Sequence, residues 1–169
     1  TDKGNVLVYN GEIFNYQALV DQFNFTPKTT CDTELLAFLL DKFGVDAVNH
    51  IDSMHAFAYY DTSNKTIILS RDHVGIKPLF YAEISDGIIF GSEIKGMLDH
   101  VPNSRCIDEL AAACMSYSGN NVTRNTMFTN IKKVMPGETM MYSVAHKKFI
   151  AYNRTVITPT STSSLDLAE

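Results

Sequence analysis

The stretch from 56 to 70 constrains the fold most. Ala56-Phe57-Ala58-Tyr59-Tyr60 and Thr66-Ile67-Ile68-Leu69-Ser70 are rich in aromatic and β-branched residues, and the polar segment Asp61 to Lys65 separates them. Two such runs around a short polar turn read as an antiparallel hairpin. A second hairpin follows: Leu79 to Ala82 and Gly87 to Phe90, around Ser85-Asp86-Gly87. A late strand is expected from Val134 to Pro136 and Glu138 to Ser143, with Lys148 to Ala151 as its partner. Helical spacing dominates earlier in the chain. Phe14, Leu19, Val20 and Phe23 predict a helix over 13–23 that Pro27 ends or follows. Leu35 to Phe43 predicts a second helix, with Asp32 or Thr33 able to cap it and Gly44 stopping it. Short helices are expected over 47–51 and 94–99, and a longer one over 107–115 with Asp108 near its start. Helices first and strands in hairpins afterwards fit a layered α+β domain better than a parallel βαβ sheet.

Composition narrows the function classes. A chain of 169 residues suits one domain, or one domain and a piece of another. Hydrophobic residues at 45% and charged residues at 20% are ordinary for a soluble globular protein. The net charge is -5 and no basic face is evident, which argues against a nucleic-acid partner. Lys132-Lys133 and Lys147-Lys148 read as solvated pairs. No apolar run approaches the roughly 20 residues that span a bilayer, and no secretory leader is visible. Cys31, Cys106 and Cys114 are odd in number and lack metal-ligand spacing, so no metal site is expected, and a reducing, cytoplasmic setting is. The chain begins at Thr1, which reads as a processed terminus or as a fragment of a longer protein. Thr158 to Ser164 has linker composition, and Leu165 to Glu169 could open a further element. The expected division is a domain over 1–154 and a linker with the start of another domain over 155–169.

The segment Val6-Leu7-Val8-Tyr9-Asn10-Gly11-Glu12-Ile13-Phe14-Asn15-Tyr16 carries the first chemical question. Asn-Gly between apolar runs is commonly a hairpin turn. Here the second run flows into helical spacing, so the reading is a strand over 5–9 that ends at Asn10-Gly11, followed by a helix. Asn10-Gly11 then stands either as a turn or as a pair of hydrogen-bond donors.

Later segments decide between these. Tyr9 to Tyr16 is followed by Cys31-Asp32-Thr33-Glu34-Leu35-Leu36, Met54 to Asp61, Leu69 to Tyr81 (with Arg71-Asp72-His73-Val74-Gly75-Ile76-Lys77-Pro78-Leu79), Phe90 to Leu98 and Thr126 to Glu138. In this order they resemble the class II glutamine amidotransferases, and more narrowly the glutaminase domain of glutamine-hydrolysing asparagine synthetase. The resemblance covers nearly all of Asn5 to Tyr152. It implies an N-terminal nucleophile hydrolase fold, a four-layer αββα sandwich, here incomplete at the N-terminus. It implies hydrolysis of L-glutamine to glutamate and ammonia. An ATP- and Mg-dependent synthetase domain, absent from this sequence, would use the ammonia to convert aspartate to asparagine. No cofactor is expected in the glutaminase domain itself. The protein's own synthetase domain is the expected partner, and the full-length protein is expected to form a homodimer.

The chemistry needs an N-terminal cysteine thiolate as nucleophile and donors for the tetrahedral oxyanion, one of which can be worth about 3–4 kcal/mol. The resemblance assigns the donors to the Asn10 side chain and the Gly11 backbone N–H. It assigns the substrate ammonium to Asp32 and a pocket-lining place to Glu12. An arginine for the substrate carboxylate is also required, because its planar fork fits a carboxylate. That arginine and the cysteine lie upstream in the family, the cysteine roughly sixty residues before Asn-Gly, a good part of a domain. The chain as given is therefore expected to be inactive.

Other readings stand beside these. Thr1 sits too close to the Asn-Gly strand to serve as nucleophile, and Cys31 reads as a core or pocket-lining residue. Asp32 competes as a helix N-cap and Glu12 as an exposed first-turn acid. Arg71-Asp72 and Lys77-Pro78 read as shapers of a loop between strands, with an interdomain or ammonia-path role as the alternative. Ser53 and His55 depart from the family's usual Gly and aromatic, marking a divergent member. His73 and His100 read as loop residues. At the level of function, the alternatives are a non-catalytic binding or regulatory domain and a related amidotransferase with another acceptor.

Overall fold

The computed structural model describes residues 1, 3–119 and 121–155. In chain order the elements are β1 (Val6–Ile13), α1 (Tyr16–Phe23), α2 (Asp32–Phe43), a 3₁₀ helix (Gly44–Asn49), β2 (Ser53–Asp61), β3 (Thr66–Arg71), β4 (Phe80–Ile84), β5 (Gly87–Gly91), a 3₁₀ turn (Ile94–Gly96), α3 (Glu109–Ser118), β6 (Lys132–Lys133), β7 (Glu138–Ser143) and β8 (Lys148–Arg154). The part of the sequence expected to be a linker, from 156 onward, lies outside the described residues.

The expected hairpin of residues 56–70 forms as β2 and β3, with Asp61 opposite Thr66 and Ala56 opposite Arg71. Its turn is organised by Asp61, whose carboxylate accepts the Ser63 and Asn64 N–H groups at 2.9 and 3.0 Å. Five strands make one antiparallel sheet in the order β1-β2-β3-β7-β8, and three make a second in the order β5-β4-β6. The mixed helix-and-antiparallel-sheet architecture is that of the expected α+β class.

Side-chain alternation along the strands explains the layering. Phe57, Tyr59 and Ile68 point to one face of the larger sheet, where α1 and α2 cover them. In α2, Leu35, Leu36, Leu39 and Leu40 form a fully buried stripe at helical spacing. Burying each such leucine stabilises the fold by roughly 1.5–3 kcal/mol. Ala56, Ala58, Leu69 and Met140 point to the opposite face and meet Leu79, Tyr81 and Val134 between the sheets. On the far side of the smaller sheet, Ala82 and Ile131 pack on Met97 and Val101. The layers are helices, sheet, sheet, and then a turn-rich segment around the 3₁₀ turn.

Several expected boundaries move. The strand expected to end at Asn10-Gly11 runs on to Ile13, because β2 pairs with it throughout, Gly11 opposite His55 and Ile13 opposite Ser53. The following helix therefore begins at Tyr16 rather than Ile13. It ends at Phe23, where Asn24 takes the left-handed conformation and donates its N–H to Asp21; Pro27 comes too late to end it. Neither Asp32 nor Thr33 caps α2: Cys31 occupies the cap position, and its side chain takes no helix N–H. The helix expected over 94–99 closes as a 3₁₀ turn, and that over 107–115 shifts to 109–118 behind Asp108, which accepts the Ala111 N–H. The strand expected at 134–136 lies earlier, at Lys132–Lys133.

A candidate oxyanion site on an open strand edge

β1 is the edge strand of the larger sheet. His55 donates its N–H to Asp72 Oδ2 at 3.2 Å, and its carbonyl accepts the Asp72 N–H at 2.8 Å. Both of its backbone groups thus point toward β3. In an antiparallel ladder the residue opposite then turns its own N–H and C=O away from the shared interface. That residue is Gly11, so its N–H faces the open edge. The same parity turns the Ile13 N–H outward, where Asp32 Oδ2 accepts it at 3.0 Å.

Side chains alternate across this edge. Leu7, Tyr9 and Ile13 point toward the helices. Asn10 and Glu12 point to the other face, both exposed. The Asn10 amide makes no hydrogen bond to another described residue. Asn10, Gly11 and Asp32 therefore gather around one short length of edge: an amide on one face, a backbone donor at the rim and a carboxylate beyond it.

Gly11 is glycine for a reason the sequence reading did not contain. A Cβ there would overlap the Met54 carbonyl and stand 2.8 Å from the Tyr9 ring. The Tyr9 phenol occupies the space a side chain would fill and donates to Asp32 Oδ2 at 3.1 Å. Burial, reinforced by the Asp32 charge, pushes the Tyr9 hydroxyl well above its ordinary pKa, so it remains a donor. Asp32 Oδ2 thus pins α2 to β1, while Oδ1 has only a long 4.0 Å contact with Cys31 Sγ. Tyr9 was the missed member of this site. The available signal was an aromatic residue two positions before a glycine on the same strand face.

A family model for the glutamine amidotransferase domain matches residues 1–153. The chain belongs to that family. Among its relatives are two asparagine synthetases [glutamine-hydrolyzing] of Bacillus subtilis. Number 3 is 30% identical over 85% of this chain and 24% of its own length. Number 2 is 40% identical over 59% of this chain and 13% of its own length. The asparagine synthetase [glutamine-hydrolyzing] of Mus musculus is 42% identical over 54% of this chain and 17% of its own length. The chain thus spans less than a quarter of each relative. Its fold is that of the glutamine phosphoribosylpyrophosphate amidotransferase of B. subtilis, at a TM-score of 0.57 and 19% identity, over 89% of this chain and 29% of that one. The expected class of fold is therefore present.

The other residues singled out by sequence separate cleanly from the edge of this amidotransferase domain. Asp72 is buried and accepts the N–H groups of Val74, Gly75 and Ile76 on Oδ1 and of Lys77 and His55 on Oδ2, at 2.7–3.2 Å. Arg71 donates to the carbonyls of Lys77, Val134 and Gly75. Both residues hold the loop between β3 and β4 in shape. His55 is buried, with Nδ1 2.8 Å from Ser53 Oγ and Nε2 3.2 Å from Ser70 Oγ. Cys31, Cys106 and Cys114 are free thiols. A hollow of about 570 Å³ lies over Phe23, Phe25 and Phe38, and a second of about 260 Å³ lies beside His55; neither includes Asn10, Gly11, Glu12 or Asp32.

Proposed function

We propose that this chain is the glutaminase part of a glutamine-hydrolysing asparagine synthetase. The supporting observation is the open edge of β1, where the Gly11 N–H and the unengaged Asn10 amide are held beside Asp32. In this reading both donors bind the oxyanion of the tetrahedral intermediate. The free Oδ1 of Asp32 takes the substrate ammonium, and Glu12 lines the same pocket. The nucleophile is an N-terminal cysteine thiolate carried by a preceding segment, as is the arginine that clamps the substrate carboxylate. Thiolate attack on the side-chain amide carbon, with the thiol's proton passed by the cysteine's own α-amine to the leaving nitrogen, breaks the C–N bond to give a thioester and ammonia, and water then cleaves the thioester to glutamate and the restored thiol. A following synthetase domain, joined through the segment from 155 onward, uses ATP and Mg to activate aspartate for attack by that ammonia. The full-length protein works as a cytoplasmic homodimer.

The test compares the product of the complete coding sequence with residues 1–169 alone. Glutamate release is expected from the first and not from the second. Glutamine turnover by residues 1–169 would overturn the assignment of the nucleophile. Glutamine turnover by the complete protein, with no aspartate-dependent pyrophosphate release from ATP, would overturn the acceptor.

A further inference from the structure

We propose that the hollow beside His55 is a binding site for a small oxyanion, a carboxylate or a phosphate. It lies on the helix-facing side of the larger sheet, away from the Asn10 face, and no role in the amidotransferase reading uses it. Its volume is about 260 Å³, and its walls include His55, Ser70, Arg71, His73, Thr139 and Asn153. Among the described residues no carboxylate lines it. The negative charge alongside, Asp72, is turned onto five N–H groups of its own surroundings. The walls are therefore rich in neutral donors; the Arg71 side chain lies on the opposite face of the sheet, committed to three carbonyls.

Proton counting sharpens this. Ser53 Oγ, the His55 ring, Ser70 Oγ and Thr139 Oγ1 form one chain of three hydrogen bonds, at 2.8, 3.2 and 2.8 Å. Burial keeps His55 neutral near pH 7, with its pKa lowered to about 4, so the ring has one proton to donate. With three hydroxyl protons the chain holds one proton more than its bonds consume. When His55 carries its proton on Nδ1, the surplus sits on Ser53, outside the hollow. When the proton is on Nε2, the surplus sits on Ser70 or Thr139, both of which line the hollow. An acceptor in the hollow therefore selects the Nε2–H tautomer.

The test is a titration of the 169-residue chain, labelled with ¹⁵N, with inorganic phosphate and separately with succinate. Sodium chloride at matched ionic strength is the control. Saturable shifts in the millimolar range are expected at Thr139 and Asn153, with the His55 ring nitrogens moving toward the Nε2–H pattern. The arm that saturates at lower concentration identifies phosphate or carboxylate as the better ligand. Asn153→Ala, at an exposed strand position, is expected to weaken binding about tenfold and leave the fold intact. Thr139→Val is expected to abolish the change in the His55 ring. Shifts that do not saturate, that chloride reproduces, or that survive both substitutions would overturn the proposal. The experiment involves no glutamine, so its outcome is separate from that of the glutaminase assays.

Discussion

Asp32 and Asp72 are both aspartates that take backbone N–H groups, yet they are used in opposite ways. Asp72 is buried, and both oxygens are saturated by five N–H groups. Burial alone would raise its pKa, but the N–H groups of Ile76, Lys77, Gly75 and His55 outweigh it and hold the carboxyl below the usual range. Asp32 is half-buried; one oxygen takes the Ile13 N–H and the Tyr9 hydroxyl, and the other has no close partner. A carboxylate with every lone pair engaged fixes a loop and has nothing left for a ligand. A carboxylate anchored by one oxygen is oriented by the fold and still able to bind. The same contrast separates Arg71, committed to three carbonyls, from Asn10, whose amide bonds to no other described residue.

Substitution at Asp72 should have the largest effect on the fold. Asp72→Ala strands the N–H groups of Val74, Ile76, Lys77 and His55, most of them in one loop, and is expected to cost about 3–5 kcal/mol in chemical denaturation. Its pH signature has a definite sign. The folded pKa is depressed, so the contribution is complete above the unfolded value of about 3.9 and is lost as pH falls through the folded value. Asp72→Asn should flatten that acid limb. Asn10→Ala should instead leave stability within about 0.5 kcal/mol of the parent. In the complete protein it should lower the kcat for glutamine by about 10²- to 10³-fold; an unchanged kcat would remove Asn10 from the oxyanion site.

His55 lies between these extremes. Its pKa is lowered to about 4 by burial, against the pull of Asp72, so the unfolded chain takes up a proton below about pH 6.5 that the folded chain refuses. Stability should be full above that pH and fall by up to about 3 kcal/mol on the way down to pH 4. His55→Gln should remove this limb. A smaller stability effect than that of Asp72 or His55 belongs to Asp32→Asn, about 1–2 kcal/mol from weakened anchoring of α2. Its mark in the complete protein should be a raised KM for glutamine rather than a large fall in kcat, which a merely structural aspartate would not produce.

Much of the architecture was legible in the residues. The hairpin of β2 and β3 and the leucine stripe of α2 follow from side-chain period, because one buried face demands that spacing whatever packs against it. Six collinear segments pointed to the amidotransferase family without any coordinates. What lay beyond the sequence came from pairing and close approach. Asn10-Gly11 reads locally as the end of a strand, and only the β2 strand laid along it turns the pair into mid-strand residues. Which way the Gly11 N–H points depends on His55 being held by Asp72, a residue 61 positions further along the chain than Gly11. Asp32 looked like a helix cap, and became an anchor because Tyr9 and Ile13 reach it first. Local propensity chose the elements; long-range hydrogen bonds, which no window of sequence contains, decided which donors and carboxylates were left free to act.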